Sequence, residues 1–253
     1  MTRSIEIVVV HPELLGTYGD GGNAEVLAHR ARLAGVDAVV HPVAHTEPLP
    51  SGADVYCIGG GEDVAQIACV QALRGRGADT LAAAMARGAQ VLAICAGLQI
   101  LGDVFPGSRG EPVEGLSLLP VTTHRGVERL IGEIAMRSPL TGTMLTGFEN
   151  HRGITELRDG LQPLGSMTLG NGNGIGAVDG VVTDSVIGTY MHGPALARNP
   201  ELADVILRRL GIDTTAVHDD AAVAFAAERR AVASSMAAQQ QRRGRRGPSA
   251  RQW

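Results

Sequence analysis

Cys95 interrupts the run Gln90-Val-Leu-Ala-Ile-Cys-Ala-Gly-Leu-Gln-Ile-Leu101, an apolar strand pattern that resumes as a helix start built on small residues. A thiol at a sharp strand-to-helix turn projects above the sheet edge. The first N–H groups of the helix face it there, where they can hold an oxyanion and favour a thiolate. Ala96 and Gly97 leave the backbone open to a ligand, which a merely packed cysteine would not need. A thiol nucleophile needs a base, and the chain has eight histidines. His192 fits best: it follows the apolar run Val186-Ile-Gly-Thr-Tyr-Met191 and precedes Gly193-Pro194, so a strand end would deliver it to the same edge. His151, in Gly147-Phe-Glu-Asn-His151, is the second candidate base, while His29 and His218 fall on helix-like faces turned to solvent.

Glycines supply the other candidates. Gly59, Gly60 and Gly61 follow Val55-Tyr-Cys-Ile58 and precede a helix pattern. Their N–H groups could face an oxyanion or ligand carbonyl; a tight left-handed turn would require the same residues. Gly172-Asn-Gly-Ile-Gly-Ala177 matches the dinucleotide pattern by letters only, since Val-Asp-Gly-Val-Val after it reads as a turn and a strand. No His, Cys and Asp grouping has metal-ligand spacing, and no metal is expected.

The elements that must position these residues alternate along the first hundred: strands over 5–10, 38–41, 55–58 and 91–94, helices over 24–34, 64–73 and 80–87. That alternation predicts an α/β fold with a mostly parallel, doubly wound sheet, whose ligands bind beyond the carboxyl ends of the strands. Three loops fall there: Tyr18-Gly-Asp-Gly-Gly-Asn23, Gly59-Gly-Gly-Glu-Asp63 and Cys95-Ala-Gly97. Strand patches between residues 116 and 191 read as the antiparallel C-terminal part of the same domain. Helices follow over 200–210 and 221–236. The domain is expected to span 1–236. Residues 237–253, with five arginines and no acid from Gln239 onward, are expected to form a basic, disordered tail.

All 22 basic residues are arginine. Without lysine the chain has neither a P-loop lysine nor a Schiff-base lysine, which excludes Walker-type ATP binding and lysine covalent catalysis. Three widely spaced cysteines suit neither a disulfide framework nor paired zinc ligands. With no signal-peptide pattern and no apolar run near the roughly 20 residues of a membrane span, a cytoplasmic protein is expected.

Taken together, Cys95-Ala-Gly-Leu-Gln99, Gly59-Gly-Gly-Glu-Asp-Val-Ala-Gln66, Arg129-Leu-Ile-Gly-Glu133, Gly147-Phe-Glu-Asn-His151 and Gly188-Thr-Tyr-Met-His-Gly-Pro194 resemble the cobyric acid synthase-like branch of class I glutamine amidotransferases. Within that branch they are most similar to the glutaminase subunits of lipid II isoglutaminyl synthases, over residues 5–210. The resemblance implies a glutaminase: Cys95 attacks the glutamine carboxamide, His192 is the base, Ala96 with Gly60 or Gly61 binds the oxyanion, and Arg129 holds the α-carboxylate. It also implies a heterodimer with a MurT-like, Mur-ligase-family partner. That partner would bind ATP and use the ammonia to amidate D-glutamate in the lipid II stem peptide, so membrane contact would be indirect; no nucleic acid is expected.

Triad-type members carry a glutamate two residues after the histidine, and here that place holds Pro194. The expectation is therefore that the partner donates the orienting acid and that the chain alone is a poor glutaminase; among internal acids Glu149 is the first candidate. Two alternatives remain: the glutaminase of another amidation, such as that of cobyrinate, or a catalytically silent binding subunit.

Overall fold

The computed structural model of the chain describes residues 4–245. The chain begins with β1 (Ser4–Val10), whose β-branched residues are buried on both faces at its carboxyl end. Then come α1 (Gly22–Leu33), β2 (Asp37–Val43), β3 (Val55–Ile58), α2 (Asp63–Leu73), α3 (Arg76–Ala86), β4 (Gln90–Ile94) and α4 (Ala96–Leu101). The next stretch is mostly extended: β5 (Val104–Pro106), β6 (Pro112–Glu114), β7 (Val121–Arg137), β8 (Met144–Leu157), β9 (Gly165–Leu169), β10 (Val178–Asp179), β11 (Val181–Val182) and β12 (Val186–Thr189). Helices α5 (Ala195–Arg198), α6 (Pro200–Arg209) and α7 (Asp220–Arg245) complete it.

Six strands form the main sheet in the order β11-β12-β4-β3-β1-β2, parallel except for β11. From β1 the chain crosses outward to β2, but from β3 it crosses the other way to β4. With right-handed crossovers this reversal puts α1 on one face and the α2–α3 pair on the other. Every residue of β3 and β4 is buried, as a strand covered on both faces must be. Helices α1 and α6 are clamped by a two-pronged pair, with Arg30 Nε and Nη2 donating to the Asp204 carboxylate at 2.7 and 2.8 Å.

The antiparallel part is a second sheet, β10-β9-β7-β5-β6 with β8 on β7, rather than an extension of the first. The β7–β8 hairpin carries an irregularity between Arg125 and Leu130, where residues 126–129 of β7 stand opposite Arg152 alone, three in excess, and Arg129 lies within it. Helix α7 extends past residue 237, the expected start of the tail. Helix α7 runs unbroken through Arg245, because Ala, Gln and Arg are strong helix formers. Ala226 and Ala233 are its fully buried anchors. The rest of the expected tail lies outside the described residues. Among the described residues no helix is long and apolar enough to cross a membrane.

Candidate active site

Parallel pairing of β4 with β12 brings the two strand ends together. Ile94 is in register with Thr189, and the Cys95 N–H donates to the Thr189 carbonyl at 2.8 Å. Cys95 itself has φ 51° and ψ −103°, a backbone that costs a non-glycine residue free energy and holds its side chain clear of both strand and helix. Helix α4 starts immediately after it and lies so close to β3 that a Cβ on Gly97 would meet the Ile58 carbonyl oxygen at 2.5 Å. The Ala96 and Gly61 N–H groups have no hydrogen-bond partner among the described residues. Both residues line a cavity of about 250 Å³ together with Cys95, Gln99, Arg129 and Asn150.

His192 lies beyond β12, held by two backbone hydrogen bonds to Phe148 on β8. Its side chain is buried, and Nδ1 sits 2.9 Å from Oδ2 of Asp20, which is equally buried. A carboxylate only accepts, so Nδ1 is the donor and Nε2 is left as the base. Nε2 is buried without a hydrogen bond. Burial alone would depress the imidazole's pKa, but the Asp20 hydrogen bond and then the neighbouring Cys95 outweigh it, and the pKa is raised. Gly60 is glycine because His192 needs the space: a Cβ there would stand 2.4 Å from the imidazole Cε1.

Asp20 overturns two expectations. The carboxylate hydrogen-bonded to His192 belongs to this chain, and it is not that of Glu149. The Glu149 carboxylate is occupied by the Asn171 N–H and side-chain amide and by the Gly172 N–H. Pro194, where the sequence would place the acid, instead opens α5 and packs where a Cβ on Gly22 would go, 2.7 Å from the proline Cγ. Asp20 lies 172 residues from His192 and arrives on the loop after β1, next to the β3 loop. Locally the sequence marks only its place in Tyr18-Gly-Asp-Gly-Gly-Asn23, a loop pattern at the ligand-binding edge.

Gly60 is also corrected as an oxyanion donor, since its N–H is committed to Asp20 Oδ2 at 2.8 Å; Gly61 and Ala96 remain free. His151, the other candidate base, carries no carboxylate hydrogen bond like that of His192 among the described residues, and its Nε2 stands 3.5 Å from Glu149 Oε2. Its Nδ1 contacts the Gly153 carbonyl oxygen at 3.1 Å, and its ring is stacked on Tyr190 with centroids 3.8 Å apart. From the cavity wall inward Gln66, Gln99, Tyr190, Thr155 and Thr123 form one chain of buried hydrogen bonds at 2.6–2.9 Å, which fixes the underside of the nucleophile helix. Arg129 reaches the cavity from the β7 irregularity with its Nε donating to Asn150 Oδ1 at 2.5 Å, so the two terminal nitrogens of its guanidinium remain for a ligand.

A thiol on a strained strand-to-helix turn, an imidazole on the adjoining strand end and a buried carboxylate behind it lie together at the edge of a parallel sheet, the arrangement that a nucleophile, base and orienting acid would need. A model of the CobB/CobQ-like glutamine amidotransferase domain matches residues 6–200, and the chain belongs to that family. It is a glutamine amidotransferase. Over 202 residues it is 34% identical to the lipid II isoglutaminyl synthase (glutamine-hydrolyzing) subunit GatD of Streptococcus pneumoniae, covering 79% of this chain and 77% of that protein. It is likewise 34% identical to the GatD subunit of Staphylococcus aureus, over 81% of this chain and 84% of that one. A solved glutamine amidotransferase at 19% identity shares the fold, with TM-score 0.55 over 81% of this chain and 99% of the other.

Proposed function

We propose that the chain is the glutaminase subunit of a lipid II isoglutaminyl synthase, with Cys95, His192 and Asp20 as its triad. The observation that carries this reading is the hydrogen bond from His192 Nδ1 to Asp20 beside a cysteine held on a strained turn. His192 Nε2 takes the Cys95 proton and the sulfur attacks the side-chain carbonyl carbon of L-glutamine. The Ala96 and Gly61 N–H groups receive the oxyanion, each donor contributing about 3 kcal/mol to the transition state. The imidazolium then protonates the leaving nitrogen. Ammonia departs, and water activated by the same imidazole hydrolyses the γ-glutamyl thioester. Arg129 pairs with the glutamine α-carboxylate through its free guanidinium edge.

The ammonia goes to a MurT-like partner in a cytoplasmic heterodimer. That partner binds ATP and amidates the D-glutamate of lipid II, so this chain needs no cofactor and meets the membrane only through its partner. Because Asp20 already holds His192, the partner has no acid to contribute. The test is Cys95→Ala in the reconstituted complex. Glutamine-dependent amidation should vanish while free ammonia still supports it; undiminished use of glutamine by the variant would remove Cys95 as nucleophile.

A further inference from the structure

Tyr18 takes no part in the chemistry above, yet it occupies an expensive conformation. It has φ 60° and ψ 19° within a 3-10 turn over Thr17–Gly19, a left-handed backbone that a bulky side chain rarely adopts. What that backbone achieves is contact. The ring stands edge-on to His192 with centroids 4.9 Å apart, and edge-on to Phe148 at 6.0 Å. Its hydroxyl accepts a hydrogen bond from Asn150 Nδ2, and the Oδ1 of the same amide accepts from Arg129 Nε. Two residues further on, the same loop supplies Asp20 to His192 Nδ1. One loop therefore grips the imidazole on its ring and on one nitrogen, and the ring contact is tied through Asn150 to Arg129.

We infer that Tyr18 is a positioning residue linking the α-carboxylate site to the catalytic base through the series Arg129–Asn150–Tyr18–His192. This rests on the proposed glutaminase reading, in which Arg129 binds the α-carboxylate. A carboxylate on the guanidinium's free edge fixes Arg129, Arg129 orients the Asn150 amide, and the amide holds Tyr18 against the imidazole. Part of the recognition of the non-reacting end of glutamine is thereby realised as alignment of Nε2 with the Cys95 sulfur. Such use of remote binding raises kcat rather than lowering KM.

The test uses the full chain, Tyr18→Phe and Asn150→Ala, and two substrates: L-glutamine and 4-aminobutyramide, which is glutamine without its α-carboxylate. Tyr18→Phe keeps the ring and deletes only the hydroxyl at an exposed position. It should lower kcat on glutamine about 10-fold with KM changed less than about 2-fold. On 4-aminobutyramide, which cannot engage Arg129, wild type and Tyr18→Phe should turn over at the same reduced rate. The double variant should lose no more on glutamine than the worse single one, because both break one series. Equal losses on both substrates would make Tyr18 a packing residue, and additive losses or an unchanged kcat would equally overturn the linkage. If 4-aminobutyramide turns over too slowly to measure, the cycle on glutamine decides alone. Glutamine hydrolysis by Cys95→Ala would strike the underlying glutaminase reading instead, and so separates the two failures.

Discussion

Replacing Asp20 by asparagine and by alanine gives two different predicted losses, and the difference follows from which atoms Asp20 serves. Its Oδ2 accepts from both His192 Nδ1 and the Gly60 N–H, at 2.9 and 2.8 Å, while Oδ1 is buried without a partner. An asparagine amide therefore keeps its oxygen where Oδ2 was, since turning the NH₂ there would face two donors at once. The imidazole keeps its tautomer and loses only the charge behind it. A charge-assisted hydrogen bond contributes about 1.5–3 kcal/mol, so Asp20→Asn should lower kcat by about 10- to 150-fold. Alanine removes orientation as well, and its loss should approach the roughly 10⁴-fold seen when a serine triad loses the tautomer set by its acid. Steady-state glutaminase assays on the chain alone and with its partner measure both. The pH at which His192 gives up its proton, read from the rate of Cys95 alkylation, should fall in either variant because Asp20 raises it. If both variants stayed within about threefold of wild type, Asp20 would not be the orienting acid, and the partner would again be the place to look.

Arg129→Ala should raise KM for glutamine about 30-fold, the loss of about 2 kcal/mol for a charge-assisted pair, and should also lower kcat about as far as Tyr18→Phe does because it breaks the same series; an unchanged KM would return Arg129 to a surface role. Iodoacetamide near neutral pH should label Cys95 alone, because burial pushes the Cys57 and Cys69 thiols up to about 12; mass spectrometry showing either of them modified in the folded protein would contradict their burial. Arg30→Ala strands Asp204 between α1 and α6 and should cost about 3–5 kcal/mol in denaturant unfolding with glutamine chemistry preserved in the remaining folded protein; a cost under about 1 kcal/mol would mean that the pair is solvated.

Cys95 and His192 were legible because each ends an apolar run that reads as a buried strand, and parallel strands end at one edge. The alternation along the first hundred residues was enough to place them together. Asp20 was not legible as an acid for His192: its loop reads as part of the ligand-binding edge, but nothing in it pairs the residue with His192, and only the adjacency of β1 and β3 brings the loop to the imidazole. Pro194 misled for the converse reason, since a motif records neighbours in sequence while the imidazole responds to neighbours in space. Gly60 shows the same limit on a smaller scale. The sequence reads its missing side chain as an open N–H, whereas the space is filled by His192 and the N–H by Asp20. Helix α7 outran its expected end because polarity argues against burial, not against helix, and two buried alanines suffice to seat it. Asp20 changes the division of labour as well. If Cys95, His192 and Asp20 act as nucleophile, base and acid, the partner is needed only to use the ammonia, and glutamine hydrolysis by the isolated chain becomes the expectation in place of dormancy.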